Sequence, residues 1–259
     1  MSVARKMLKM SLGFVAGVVL AAVVDREVAS TQPVREPVAP NLPPAHEGEI
    51  PVLFHTRATP QDICEGVEVT YLNPGSCPAY LRLVRYALSK YPPDVLFGAR
   101  VNRIVVIGRM QRNGHGIAGL AHFDRQTIYL AAMSVEGRYS ESFDRDQSSR
   151  RVIHHEIFHF LHRFLMPWYD SQVWLACNPA SFQYGESRKE LGCVSKYAAT
   201  SLIEDQCETF AAVMARDPDL QERLIRDPFF ATKVSFLEDL LRKISPQLAD
   251  YFHRIYVQK

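Results

Sequence analysis

Apolar residues recur at helical spacing in several stretches of the chain. Leu81, Val84, Leu88 and Tyr91 share one face of a helix predicted over 80–91, which Pro92-Pro93 stops. Ile153, Ile157, Phe160, Leu161 and Phe164 do the same over 150–165, ahead of Pro167. A further helix is predicted over 201–216, stopped around Pro218. Val234, Leu237, Leu241, Ile244 and Leu248 form the apolar stripe of two or three amphipathic helices after it. Between the first two helices the pattern changes. Residues 101–107, 117–123 and 127–132 read as strands, the last two joined as a hairpin around Asp124-Arg125. Residues 167–200 lack a clear period and form a long loop-rich segment, a length that often accompanies function. Helix, small sheet and then an all-helical half make an α+β fold.

The N-terminus carries a different pattern. Arg5, Lys6 and Lys9 precede an uncharged, mostly apolar run over residues 10–24. A basic segment followed by so short an apolar run reads as a signal peptide, and a cut after Ser30 would remove it. An uncleaved membrane anchor through residues 10–24 is the other reading of residues 1–30. Residues 31–50 are a proline-rich, extended linker, and the folded part, 51–259, is expected to begin near residue 50. The chain is therefore expected to be secreted or otherwise extracytoplasmic.

Composition narrows the function. With 47% hydrophobic and 22% charged residues, the 259-residue chain is globular rather than disordered. Its net charge of +2 is already accounted for by residues 1–30, so the remainder is balanced and offers no basic surface for nucleic acid. Five cysteines suit an oxidising compartment, where Cys64–Cys77 and Cys177–Cys193 could each close a short loop. Cys207 lies among apolar neighbours and reads as a buried free thiol.

Two helices carry the candidate chemistry. His155-Glu156-Ile157-Phe158-His159 places two imidazoles one turn apart, so both can reach one ion. Glu156 adjoins the first histidine, where a carboxylate can accept a proton from water held at a metal. His154 and His162 flank the motif and read as packing or surface residues. Zinc needs a third protein ligand. The extended metzincin pattern is excluded, because Leu165 and His162 stand where its third histidine and its glycine belong. The second helix offers Glu204, Asp205 and Glu208. Glu204 and Glu208 are four apart and share a face, so one can ligate while the other orients a ligand imidazole.

Together with Val194-Ser195-Lys196-Tyr197 and Glu204-xxx-Glu208-x-Phe210-Ala211, the motif helix resembles the catalytic domain of anthrax lethal factor and its bacterial relatives. These are gluzincin zinc metallopeptidases, and the resemblance covers about residues 100–245. It implies a zincin-like fold in which His155, His159 and Glu204 bind Zn2+ and Glu156 is the general base. Tyr197 would stabilise the oxyanion and Glu208 would support a ligand histidine. The substrate would be a peptide or protein, laid along a strand for which 117–123 is the candidate, an ordinary core strand being the equal alternative for those residues. A non-catalytic, zinc-stabilised binding or envelope module is the alternative, with Cys193 or Cys177 as the thiolate that would block the open position.

Overall fold

The computed structural model describes residues 50–54, 63, 66–70, 72, 77–132, 147–185 and 191–257. The expected signal peptide or anchor, all of the linker but Ile50, and Cys64 lie outside the described residues. Among the described residues, no helix is long and apolar enough to cross a membrane.

Among the described residues, seven strands form two small sheets. β1 (Val52–Phe54), β3 (Arg103–Ile107) and β7 (Thr127–Ala131) run parallel, and β6 (Gly119–His122) pairs antiparallel with β7 at the edge. Ile104, Val106, Ile128 and Leu130 of the two central strands are fully buried, as parallel strands covered on both faces require. β2 (Val67–Thr70), β4 (Arg109–Arg112) and β5 (His115–Ile117) make an antiparallel second sheet. Its hairpin turns at Asn113 and Gly114, both at positive φ (52° and 75°), the conformation for which an Asn-Gly pair is suited. The strand expected over 117–123 is therefore two strands in different sheets, parted at Ala118. The hairpin expected around Asp124-Arg125 is present, closed by a hydrogen bond from Gln126 N to Phe123 O at 2.9 Å.

Helices build the rest. α1 (Pro78–Leu88) and α2 (Pro93–Gly98) precede the sheet; α3 (Gln147–Leu165) and α4 (Ser171–Ala176) follow it. Then come α5 (Leu202–Met214), α6 (Leu220–Arg226), α7 (Pro228–Ile244) and α8 (Pro246–Val257). The fold is α+β, with a small mixed sheet, a motif-bearing helix and a helical C-terminal half, as the sequence pattern implies. The expected apolar stripe is continuous in space but not in the chain. Val234, Leu237 and Leu241 belong to α7 and Leu248 to α8, because Ser245-Pro246 breaks the helix between them.

Two helices depart from the amphipathic pattern. α3 is buried without interruption from Val152 to Leu161, and α5 from Glu204 to Met214. They pack on each other, and α3 also packs on β6 and β7. Burial on every side forces their charged residues to find partners inside the protein.

The expected Cys177–Cys193 disulfide is not formed, and both residues are free thiols, as is Cys77. Both thiols lie near the Asp205–Lys233 pair but take different hydrogen-bond partners. Cys177 caps α4 and donates to Val173 O at 3.3 Å, whereas Cys193 hydrogen-bonds to Asp205. Burial, then the charge of Asp205, pushes the Cys193 thiol up to about 12.

Candidate metal centre

α3 and α5 meet along the faces that carry the motif residues. His155 Nε2 and His159 Nε2 stand 3.1 Å apart. From α5, Glu204 Oε2 lies 3.0 Å from His155 Nε2 and 3.7 Å from His159 Nε2. That oxygen is buried and makes no hydrogen bond, so the contact has the distance of an ion pair without its directionality. Three donor atoms thus converge on one space. Around a tetrahedral zinc held at about 2.0–2.1 Å, neighbouring donors stand about 3.3–3.4 Å apart. The observed separations bracket that figure, and an ion is the partner the orphaned carboxylate oxygen lacks. The residues fit a divalent metal.

The surroundings orient this set. His155 Nδ1 donates to Glu208 Oε1 at 3.0 Å, which turns Nε2 towards the cluster. Glu208 Oε2 in turn accepts from Arg151 Nη2 at 2.6 Å and Ser195 Oγ at 2.8 Å. Burial alone would raise the Glu208 carboxyl, but the His155 hydrogen bond and the Arg151 charge pull it down to about 2. Arg151 also pairs with Asp217 Oδ2 at 3.5 Å. Ser195 accepts from Ala198 N at 3.0 Å and so ties the segment bearing Tyr197 to Glu208. The Tyr197 ring lies over His155, with centroids 5.9 Å apart.

Glu156 points from α3 to the free edge of β6. The Ala131 N to Ala118 O hydrogen bond sets the antiparallel alternation. Gly119 and Ala121 therefore turn their backbone groups away from β7. Ala121 N–H donates to the Glu156 carboxylate, while Glu156 Oε2 is buried without a partner. Burial, reinforced by the charge of Glu204 against the opposing pull of His155, pushes the Glu156 carboxyl up to about 7. Such a group can take up and release a proton near neutrality. Gly119 makes the approach feasible, because a Cβ there would stand 2.6 Å from both Cγ and Oε1 of Glu156.

All six residues singled out in the sequence, His155, Glu156, His159, Tyr197, Glu204 and Glu208, gather at this place. Asp205, the remaining acid, faces the other way and pairs with the fully buried Lys233 at 2.6 Å. Neither neighbouring histidine joins the cluster. His154 Nδ1 is 2.6 Å from the Tyr91 hydroxyl, and burial, then the Lys90 charge, holds its imidazole well below the usual range. His162 packs edge-on to Tyr169.

The sequence reading gave no role to four contributors. Gly119 was visible as a lone glycine in a strand pattern, a sign of close approach. Arg151 carries no such signal, and Ser195 stood within the Val194-Ser195-Lys196-Tyr197 stretch without a role of its own. The fourth is Cys207, a buried free thiol as expected, whose Sγ lies within 4.8 Å of a ring nitrogen of both His155 and His159. Burial, followed by the charges of Glu204, Glu156 and Glu208, holds its thiol well above the ordinary range. Cys193 and Cys177, the expected blocking thiols, lie outside this group.

No protein-family model matches the chain, and no curated protein matches it. A solved structure of similar outline is that of a candidate zinc-binding metallo-peptidase from Bacteroides caccae ATCC 43185. It is 16% identical, with a TM-score of 0.46, over 69% of this chain and 76% of that one.

Proposed function

We propose that the chain is a zinc-dependent peptidase of the gluzincin type, acting on peptides or proteins outside the cytoplasm. The observation that carries this reading is the convergence of His155, His159 and the unpartnered Glu204 oxygen next to a buried Glu156. The gluzincin pattern supports it further, since the third donor comes from a helix well downstream of the motif. The basic and apolar N-terminal segments support export.

His155, His159 and Glu204 would hold the ion. A divalent metal there supplies Lewis acidity, which acidifies water and polarises a carbonyl oxygen. Every other role falls to the protein. Glu156 Oε2 accepts the proton of the attacking water and returns it to the leaving amine, a duty suited to a carboxyl near 7. Glu208 keeps the His155 ring turned inward, and Arg151 and Ser195 keep Glu208 in place. Tyr197, held beside His155, is the donor assigned to the oxygen on which charge gathers. Apart from Ala121 N–H, which Glu156 already takes, the outward backbone groups of β6 can pair with an extended substrate and lay its carbonyl against Glu156.

Glu156→Gln preserves shape and removes the base. Purified protein carrying it should bind zinc as the native chain does, while peptide cleavage falls by about 10²–10⁴-fold. Undiminished cleavage would end the role given to Glu156. Tight zinc binding by a native protein that cleaves no peptide library would favour a metal-stabilised binding module instead.

A further inference from the structure

One buried group at the centre has no part in the mechanism above. Cys207 is fully buried and lies between Glu204 and Glu208 on the face of α5 turned to α3. Its sulfur and one ring nitrogen from each of His155 and His159 all lie within 4.8 Å of one another. The unpartnered Glu204 oxygen points independently into the same space. A thiolate at about 2.3 Å and an imidazole nitrogen at about 2.0–2.1 Å from a tetrahedral ion stand about 3.6 Å apart. A side-chain shift of about 1 Å brings the sulfur into that range.

We propose that Cys207 is a fourth protein donor to the ion that His155, His159 and Glu204 would hold, an inference that rests on the metal-centre reading above. The sulfur–hydrogen bond breaks as the sulfur–metal bond forms, and the proton leaves to solvent. Two consequences follow from the chemistry of sulfur. A soft donor biases the site towards thiophilic ions such as cadmium over harder ones. It also occupies the corner that hydrolysis needs for water, so Cys207 restrains the enzyme from within the core. Removing it then weakens metal retention and raises cleavage. A sulfur that merely fills space would lower both or leave both unchanged.

The test uses the full chain stripped of metal and reloaded with cobalt(II). The native protein should show visible ligand-field bands together with a near-ultraviolet thiolate-to-cobalt charge-transfer band, which Cys207→Ser and Cys207→Ala abolish. The preference for cadmium over zinc should fall in both variants by at least the 10–100-fold that outer-sphere changes alone can cause. Peptide cleavage by the zinc-loaded variants should rise. Ligand-field bands without the charge-transfer band would overturn the role of Cys207 and leave the centre intact. Failure to take up cobalt, zinc or cadmium at all would overturn the centre and this inference together. Should the variants misfold, the cadmium NMR resonance of the loaded native protein decides the matter, since thiolate ligation moves it far downfield.

Discussion

At the centre, the two imidazoles differ in charge before any ion arrives. Burial acts to keep His155 neutral, but the Glu204 carboxylate beside its Nε2, the hydrogen bond to Glu208 and the charges of Glu156 and Glu208 raise it to about 10. His159 has no such compensation, so burial, then His155 and His162, keep it well below its ordinary range. In the metal-free protein the pair therefore carries one excess proton, on His155. Its folded value lies above the 6.5 of a free imidazole, so its stabilising effect is complete below about 6.5 and is lost as pH rises through about 10. A metal must displace that proton. Zinc affinity should accordingly climb with pH across this window, and uptake near neutral pH should release about one proton from His155. Zinc titration in weakly buffered indicator dye measures the release; pH-independent binding without it would refute the assignment of charge. Glu208→Gln removes the carboxylate that holds this imidazolium, and zinc affinity should drop by about 10–100-fold as measured by chelator competition.

At the scale of elements, the site is a helix laid against the free edge of a strand, and Gly119 sets the distance between them. Gly119→Ala would drive a methyl group into Glu156 Cγ and Oε1 and to 2.7 Å from Val152 Cγ1. Overpacking of this kind costs about 1–3 kcal/mol of stability, and the displaced side chain is the proposed base. Peptide cleavage should therefore fall further than the melting temperature suggests, with zinc still bound, and a fully active Gly119→Ala protein would show that β6 does not set the position of Glu156. The same elements show what was legible in the sequence. Spacing of 3.6 located α3 and α5, and the i, i+4 pairs His155/His159 and Glu204/Glu208 placed their side chains on facing surfaces. Periodicity could not reveal that both helices are buried all round, because that depends on what covers the second face. Nor could it find β4, whose Arg109-Met110-Gln111-Arg112 has the polarity of a surface loop and becomes a strand only by pairing with β2 and β5. The Asn113-Gly114 turn was the local signal for that hairpin. Without it, residues 117–123 read as one strand instead of the ends of two. Cys207 was legible as a buried free thiol, but its place beside the imidazoles comes from α3, which no local pattern on α5 reports.

At the scale of the whole molecule, the half of α5 that carries Glu204 is fixed from behind by a second buried cluster. Asp205, next to Glu204, accepts from Lys233 of α7 at 2.6 Å, from Trp174 of α4 at 2.9 Å and from the Tyr184 hydroxyl at 2.7 Å. Lys233 also donates to Gly192 O at 2.9 Å, and Asp227 at the start of α7 accepts from Gly192 N at 2.7 Å. α4, α5, α7 and the segment leading to Tyr197 thus share one polar junction. Removing a single member leaves the opposite charge buried and unpaired. Lys233→Met or Asp205→Leu alone should cost about 3–5 kcal/mol in urea unfolding, whereas the double change to two apolar side chains should recover much of that loss. Equal, additive losses would mean that the two charges do not depend on each other. Because Asp205 adjoins Glu204, a protein weakened here still gains from its ligand. Zinc at about 100 times its dissociation constant should restore about 2.7 kcal/mol to the Lys233→Met protein, provided the folded state still presents the donors correctly. Unfolding curves with and without zinc therefore separate two effects of the mutation. A full zinc-dependent gain means that the junction only stabilises the fold. A reduced gain at the same free zinc means that it also sets the geometry of Glu204 relative to the imidazoles.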